Sequence, residues 1–269
     1  MPKLLDLIEK KLQALNEAED TELKDILKAD YPTFVQKLGD NINDPKFQQA
    51  IKSVADKTPI KTSDINPKVT ALKPTQNEID VDKSLKFPLT NAQSAKVCLD
   101  GGNVAIAGKK IVTGGGGKFI IDGHHRWSQL YCMNPEASIS AMDVSNITDP
   151  VSGLKATQLG IAADIGKVPT ATVEGNNLLK MGEDALIAYV KKTITPEVAE
   201  VFKKYNKGDN AEAIGAYIWK NVQQMQQNNQ PVAPKAPRGI MPQTDDAPNW
   251  ADDAPVVAES IFPLWDKIK

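Results

Sequence analysis

Lys118-Phe119-Ile120-Ile121-Asp122-Gly123-His124-His125-Arg126-Trp127 sets an apolar run directly against a turn carrying imidazole and guanidinium groups. The chain has 2 histidines, and both stand here, followed at once by Arg126. The first turn of a helix leaves backbone N–H groups unpaired and carries about half a unit of positive charge, so a strand feeding a helix at this point makes an anion site. Gly123 can take a positive φ and let the backbone approach a ligand, while Arg126 can offer a fork to phosphate oxygens. His124 and His125, with ordinary pKa values near ~6.5, can donate to an anion or carry a proton. The chemistry these residue types support is phosphate binding, with phosphoryl chemistry assisted by an imidazole.

Other chemistries fit less well. Adjacent residues on a helix point ~100° apart, and no further histidine or nearby cysteine completes a tetrahedral set, so no dedicated zinc site is expected. A Mg²⁺ ion held by Asp122 or Glu78 together with a nucleotide phosphate suits the residues better, because magnesium uses few carboxylates. Thr113-Gly114-Gly115-Gly116-Gly117-Lys118 invites comparison with a Walker A loop and fails it. Val112 stands where the first Gly belongs, Phe119 replaces Ser/Thr, and a strand follows instead of a helix. The glycines read as a hairpin turn, with a lid over a neighbouring ligand as the alternative. A purely structural turn is the competing reading of Asp122–Arg126, with Arg126 paired to a carboxylate and the histidines satisfying backbone carbonyls. Trp127 and Tyr131, four residues apart, share one helical face and read as core.

The elements that must position these residues are short. Residues 1–57 read as a helical region: Leu4 to Leu15 recur at helical spacing, and Leu23, Ile26 and Leu27 run up to Tyr31-Pro32. Phe34, Val35 and Leu38 follow in a short helix that Gly39 can close, and 45–55 forms another. Residues 58–150 form a mixed α/β core, with strands and turns over 58–86 and a helix over 91–99 capped by Thr90. Strands are expected at 104–106, 110–112, 118–121 and 137–144, with a helix between Gly123 and Asn134. Residues 151–225 read as a helical region, clearest over 183–193, after the cap Thr195-Pro196, and from Asn210 to about Gln227, while 154–167 shows helical composition broken by glycines. Residues 226–269 read as a polar linker and docking tail, its apolar end at 256–269 suited to a protein partner.

Composition sets outer limits. With 269 residues, 41% hydrophobic and 25% charged, the chain can bury a core of ordinary size. A net charge of -2 gives no field that would draw it onto nucleic acid or an acidic membrane, so DNA is not the favoured partner. Cys98 and Cys132 belong to no zinc or redox pattern, and no window is apolar enough for a membrane span. The expectation is a soluble protein of a reducing compartment: cytoplasmic, or virion-associated if phage-encoded.

The run from Lys118 to Leu130, KFIIDGHHRWSQL, resembles the central motif of the ParB/sulfiredoxin-like superfamily. There a strand ends in a Gly-[acidic, Cys or His]-[His or Arg]-Arg turn that opens a helix and binds phosphate. Leu72-Lys73-Pro74-Thr75-Gln76-Asn77-Glu78-Ile79 is similar to the family's early segment, a strand leaving into a polar turn that faces the same pocket. The resemblance covers roughly residues 65–150. It implies an α+β fold with a compact mixed-sheet core, to which the helical regions and tail are added. It also implies a nucleotide partner such as ATP, ADP or CTP with Mg²⁺, since relatives include CTP-hydrolysing partition clamps, an ADP-dependent serine kinase, sulfiredoxins and proteins labelled as nucleases.

Carried over residue by residue, Gly123, His124, His125 and Arg126 fall in the phosphate-binding turn beside Asp122, and Thr75, Gln76 and Glu78 in the opposite wall. His124 occupies the position where sulfiredoxin chemistry needs a cysteine, and the acidic, poorly patterned region beyond Pro150 gives little support for the helix-turn-helix domain that partition-type DNA reading needs. The resulting expectation is phosphate binding with NTP hydrolysis or phosphoryl transfer, using Glu78, His124, His125 and Arg126 as the catalytic group. The alternatives are a non-catalytic assembly protein of the phage or plasmid kind, or a nuclease.

Overall fold

The computed structural model describes residues 25–55, 60–170, 175–233 and 235–254. They form a mixed α+β fold whose residues fall into two compact units. One holds residues up to Ile60, Val151–Pro169 and those from Pro242; the other holds Lys61–Pro150 and Thr170–Met241.

In the first unit, helix α1 (Tyr31–Asn41) is capped by Asp30, whose carboxylate accepts the Thr33 N–H at 3.1 Å. Pro32 lies in its first turn, where a missing N–H costs nothing, and Gly39 is carried inside the helix instead of closing it. Helix α2 (Pro45–Ala55) follows. Of residues 154–167, without a clear period in sequence, 154–165 belong to a 16-residue helix, Pro150–Ile165, designated α6 below. Its residues from Gly153 to Ala163 are all buried, so there is no polar face to set a rhythm. Gly160 lets another segment approach: a Cβ there would lie 2.2 Å from the Trp250 carbonyl oxygen. Lys155 is buried but satisfied, donating to the carbonyls of Leu27 and Ala29 at 2.6 and 2.7 Å.

The second unit is built on a five-stranded mixed sheet in the order β1-β7-β4-β5-β2. The strands are β1 (Thr62–Ile65), β2 (Lys73–Pro74), β4 (Ile111–Gly114), β5 (Phe119–Asp122) and β7 (Ala141–Val144). β3 (Asn103–Val104) and β6 (Ser138–Ile139) pair separately. β4 and β5 form an antiparallel hairpin, and β2 lies parallel to β5 with Pro74 opposite Ile120. Residues 82–86, expected as strand or turn, form a π-helical turn leading into α3 (Phe87–Thr90). Helix α4 (Ala92–Asp100) is capped by Asn91, not Thr90: the Asn91 side chain accepts the Ser94 N–H at 2.8 Å.

Helix α5 (His124–Met133) runs through the centre of this unit. Trp127 and Tyr131 are fully buried in it, as their spacing implies, and meet edge to face at 5.6 Å. Trp127 also donates its indole N–H to the Val69 carbonyl at 2.8 Å. Helices α7 (Glu183–Thr193), α8 (Pro196–Lys204) and α9 (Ala211–Asn228) complete the core, with α9 packed against α5 and α7. Thr195 and Asn210 cap α8 and α9. Helix α10 (Trp250–Asp253) belongs to the first unit. Residues 256–269, the candidate docking segment, lie outside the described residues. Among the described residues no helix is long and apolar enough to cross a membrane.

The glycine run is a tight turn pinned from the neighbouring strand. Gly115, Gly116 and Gly117 all have positive φ, and the buried Asp143 on β7 accepts their chain end: Gly116 N–H at 3.1 Å, Gly117 N–H at 2.9 Å and the Thr113 hydroxyl at 2.9 Å. Three donors converge on one carboxylate, and removing it leaves the buried Thr113 hydroxyl and Gly117 N–H unpaired. Asp143→Ala should destabilise the protein by about 3 kcal/mol, on the scale of buried donors left unpaired, with a smaller loss for Asp143→Asn. Urea denaturation at neutral pH measures it.

Candidate functional site

Because β2 and β5 are parallel neighbours, they leave the sheet at the same edge, where ligand crevices open beyond the carboxyl ends of parallel strands. β2 continues into Thr75 and Gln76; β5 continues through Asp122 and Gly123 into α5. The two segments therefore meet at the first turn of a helix.

Gly123 is the helix N-cap and has φ 92°, a left-handed conformation that L side chains rarely adopt. A Cβ there would also stand 2.5 Å from Ile111 Cγ2 and 3.2 Å from Arg126 Nε, so the guanidinium stem folds back over the glycine. The Gly123 N–H donates to Asp122 Oδ1 at 2.6 Å. Asp122 and Arg126 are half-buried.

The histidines hold the opposite wall. His124 is 3% exposed, and its Nε2 accepts the backbone N–H groups of Thr75 and Gln76, each at 3.2 Å. The Thr75 hydroxyl gives its proton to the Ile120 carbonyl at 2.7 Å, so its 3.2 Å approach to the same nitrogen is secondary. A ring nitrogen that accepts two amide protons carries none itself, which assigns the proton to Nδ1 and leaves the ring neutral. Burial, reinforced by His125 and the Arg126 charge, holds the His124 pKa down at about 3. His125 Nε2 likewise accepts the Asp80 N–H at 3.3 Å. Its pKa is held at about 4 by burial first, then by Arg238, Lys83 and Arg126, against the opposing pull of Asp80. Both rings satisfy backbone amides of the facing loop, whereas the structural-turn reading had them satisfying carbonyls.

Thr75 and Gln76 are therefore joined to His124 directly. Glu78 is half-buried: its backbone carbonyl receives the Gln76 side-chain amide, and its carboxylate forms no ion pair with a described residue. The carboxylate brought to the histidines is that of Asp80 instead. Its Oδ1 accepts the Lys83 N–H at 3.1 Å, and its Oδ2 meets Arg238 Nη1 at 3.1 Å, with both side chains about as buried as core residues. Beneath the turn the Ser84 hydroxyl donates to the Asp80 carbonyl at 2.7 Å, and the Ser128 hydroxyl lies 2.8 Å from that of Ser84. The cysteines are remote from this chemistry: both are buried, and burial pushes Cys98 up to about 11.

Asp80 and Arg238 escaped the sequence reading, although a signal existed for the second. Of the 32 Lys and Arg residues, only Arg126 and Arg238 are arginines. A chain that uses lysine for its other cations has placed both arginines within electrostatic reach of His125. Asp80 offered only its place between Ile79 and Val81, which marks it as facing away from two core residues. Among the described residues no group of three His, Cys, Asp or Glu side chains could hold a metal ion. The chain matches no protein-family model, no curated protein and no solved structure.

The depressed histidine pKa values fix a sign for pH dependence. The unfolded chain takes up protons below about 6.5, and the folded chain does so only near 4 and 3. Stability is thus fully present above the unfolded value and falls as pH drops from there toward the folded values. His124→Gln keeps an acceptor near the Nε2 position without a titrating group. Urea midpoints across pH 4 to 8 should show a shallower acid loss in H124Q than in the wild type; parallel curves would remove the assignment.

Proposed function

We propose that this chain carries a ParB/sulfiredoxin-like domain that binds the phosphates of a nucleotide at the Asp122–Arg126 turn. The observation that carries the reading is the placement of both histidines and Arg126 in the first turn of α5. That helix start offers backbone N–H groups and a positive dipole end, Arg126 adds a guanidinium, and Lys83 adds a further charge nearby.

The donor set fits Mg²⁺ only as the companion of a nucleotide. No protein cage is present among the described residues, but Asp122 and Glu78 are half-buried carboxylates of the kind that supply one or two ligands while phosphates supply the rest. When bound, the ion would neutralise phosphate charge.

The residues' own contributions follow from their geometry. Histidines held neutral at pH 7 do not serve as cationic donors, and His124 Nε2 is committed to two amides. In this reading the imidazoles position the Thr75–Asp80 wall. Arg126 and the helix start hold the anion, so any hydrolysis or phosphoryl transfer proceeds by placement and charge stabilisation. Glu78 remains the group that would orient a water or hydroxyl. Binding without turnover is the second reading, favoured by that same commitment of the histidines.

A thermal-shift screen of ATP, ADP, CTP and GTP, with and without Mg²⁺, identifies the ligand, because a specific ligand raises the melting temperature by mass action. For the ligand so found, Arg126→Ala should weaken binding by more than about tenfold, the scale of one charge-assisted contact. Unchanged affinity by calorimetry, with the variant folded, would remove the assignment.

A further inference from the structure

Residues 229–241 read from sequence as polar linker, yet 229–233 and 235–241 lie across the edge of the site. Asn229 anchors one end, its amide donating to the carbonyls of Thr70 and Leu72 at 2.9 and 2.6 Å and its oxygen accepting the Tyr131 hydroxyl at 2.9 Å. The Val232 N–H then donates to the Pro74 carbonyl at 2.9 Å, and the Asn77 N–H to the Ala236 carbonyl at 3.4 Å. The Pro74–Asn77 loop is thereby gripped twice, by His124 on one side and by this strap on the other. Arg238 completes the crossing and reaches Asp80 with 4% of its side chain exposed.

We propose that Arg238 is a second phosphate-binding arginine of this site, delivered by the 229–241 strap and held on Asp80 until a polyphosphate takes its place. The inference rests on the nucleotide reading above and names a residue which that reading does not use. Three observations support it. Arg238 is one of the two arginines in the chain, and a guanidinium can engage two oxygens of an anion at once where a lysine cannot. Its charge and that of Arg126 both bear on His125, the second residue of α5. Its carboxylate partner Asp80 sits on the facing loop, and the Asp80 N–H is held by His125 Nε2 at 3.3 Å, which sets the ion pair beside the start of α5.

A buried ion pair with a purely structural role makes the opposite forecast for one variant, which gives the test its edge. Asp80→Asn keeps an acceptor for the Lys83 N–H and removes the charge that competes for Arg238. Titrations by calorimetry would use inorganic triphosphate and whichever of ATP, ADP, CTP or GTP the wild type binds. Asp80→Asn should bind these more tightly, and Arg238→Lys should bind about tenfold more weakly, the scale of a lost charge-assisted contact. The gain from Asp80→Asn should largely disappear in the Asp80→Asn/Arg238→Lys double variant.

Wild-type affinity in Arg238→Lys, or a gain from Asp80→Asn that survives in the double variant, would overturn the proposal and leave the nucleotide reading standing on Arg126. A wild type that binds none of the probes overturns both. A measurement on the unaltered protein guards against misfolded variants. The ¹⁵N spectrum of two arginines has two Nε–H signals, and triphosphate should move both; movement of one alone would count against Arg238.

Discussion

The second unit depends on one interaction at its sheet edge: a neutral imidazole accepting two backbone amides. The loop after β2 must turn over the start of α5, and in turning it buries the N–H groups of Thr75 and Gln76 away from any ladder. Buried amides without acceptors are costly, and His124 Nε2 supplies one acceptor for both. His125 repeats the device further along the loop, taking the Asp80 N–H. The requirement for unprotonated nitrogens then explains the rest of the local electrostatics, because burial and flanking cations both keep the rings neutral.

This arrangement divides the labour of the turn. Positive charge comes from Arg126, Arg238 and Lys83, hydrogen-bond donors come from the helix start, and the imidazoles fix the distance between the two walls. Gly123 permits the junction, since its positive φ and the crowding by Ile111 leave no space for a side chain. On the α5 side the turn is closed by that crowding. On the other it is bounded by a loop that the strap and the histidines hold in common.

The turn was legible because its signals are local. An apolar strand, a glycine and a cluster of rare residue types lie within ten positions, and the structure places β5, Gly123 and α5 with boundaries close to those the pattern implies. Caps such as Thr195 and Asn210 were legible for the same reason. Relationships spanning the chain were not: Asp80 meets Arg238 across 158 positions, and nothing in the polar composition of 226–241 announces that Ala233, Ala236 and Arg238 are buried. Helix α6 was obscured differently, for a helix covered on all sides has no amphipathic period to read. The histidines' direction of hydrogen bonding also lay beyond the sequence, since an imidazole donates or accepts according to what surrounds it.

The most direct test of this account is the ¹⁵N spectrum of the imidazoles, which contains only the signals of His124 and His125. Both rings should be neutral with the proton on Nδ1, and neither should titrate between pH 8 and pH 5, consistent with pKa values held at about 3 and about 4. A proton on Nε2 of His124, or a titration of either ring near pH 6.5, the ordinary histidine value, would contradict it.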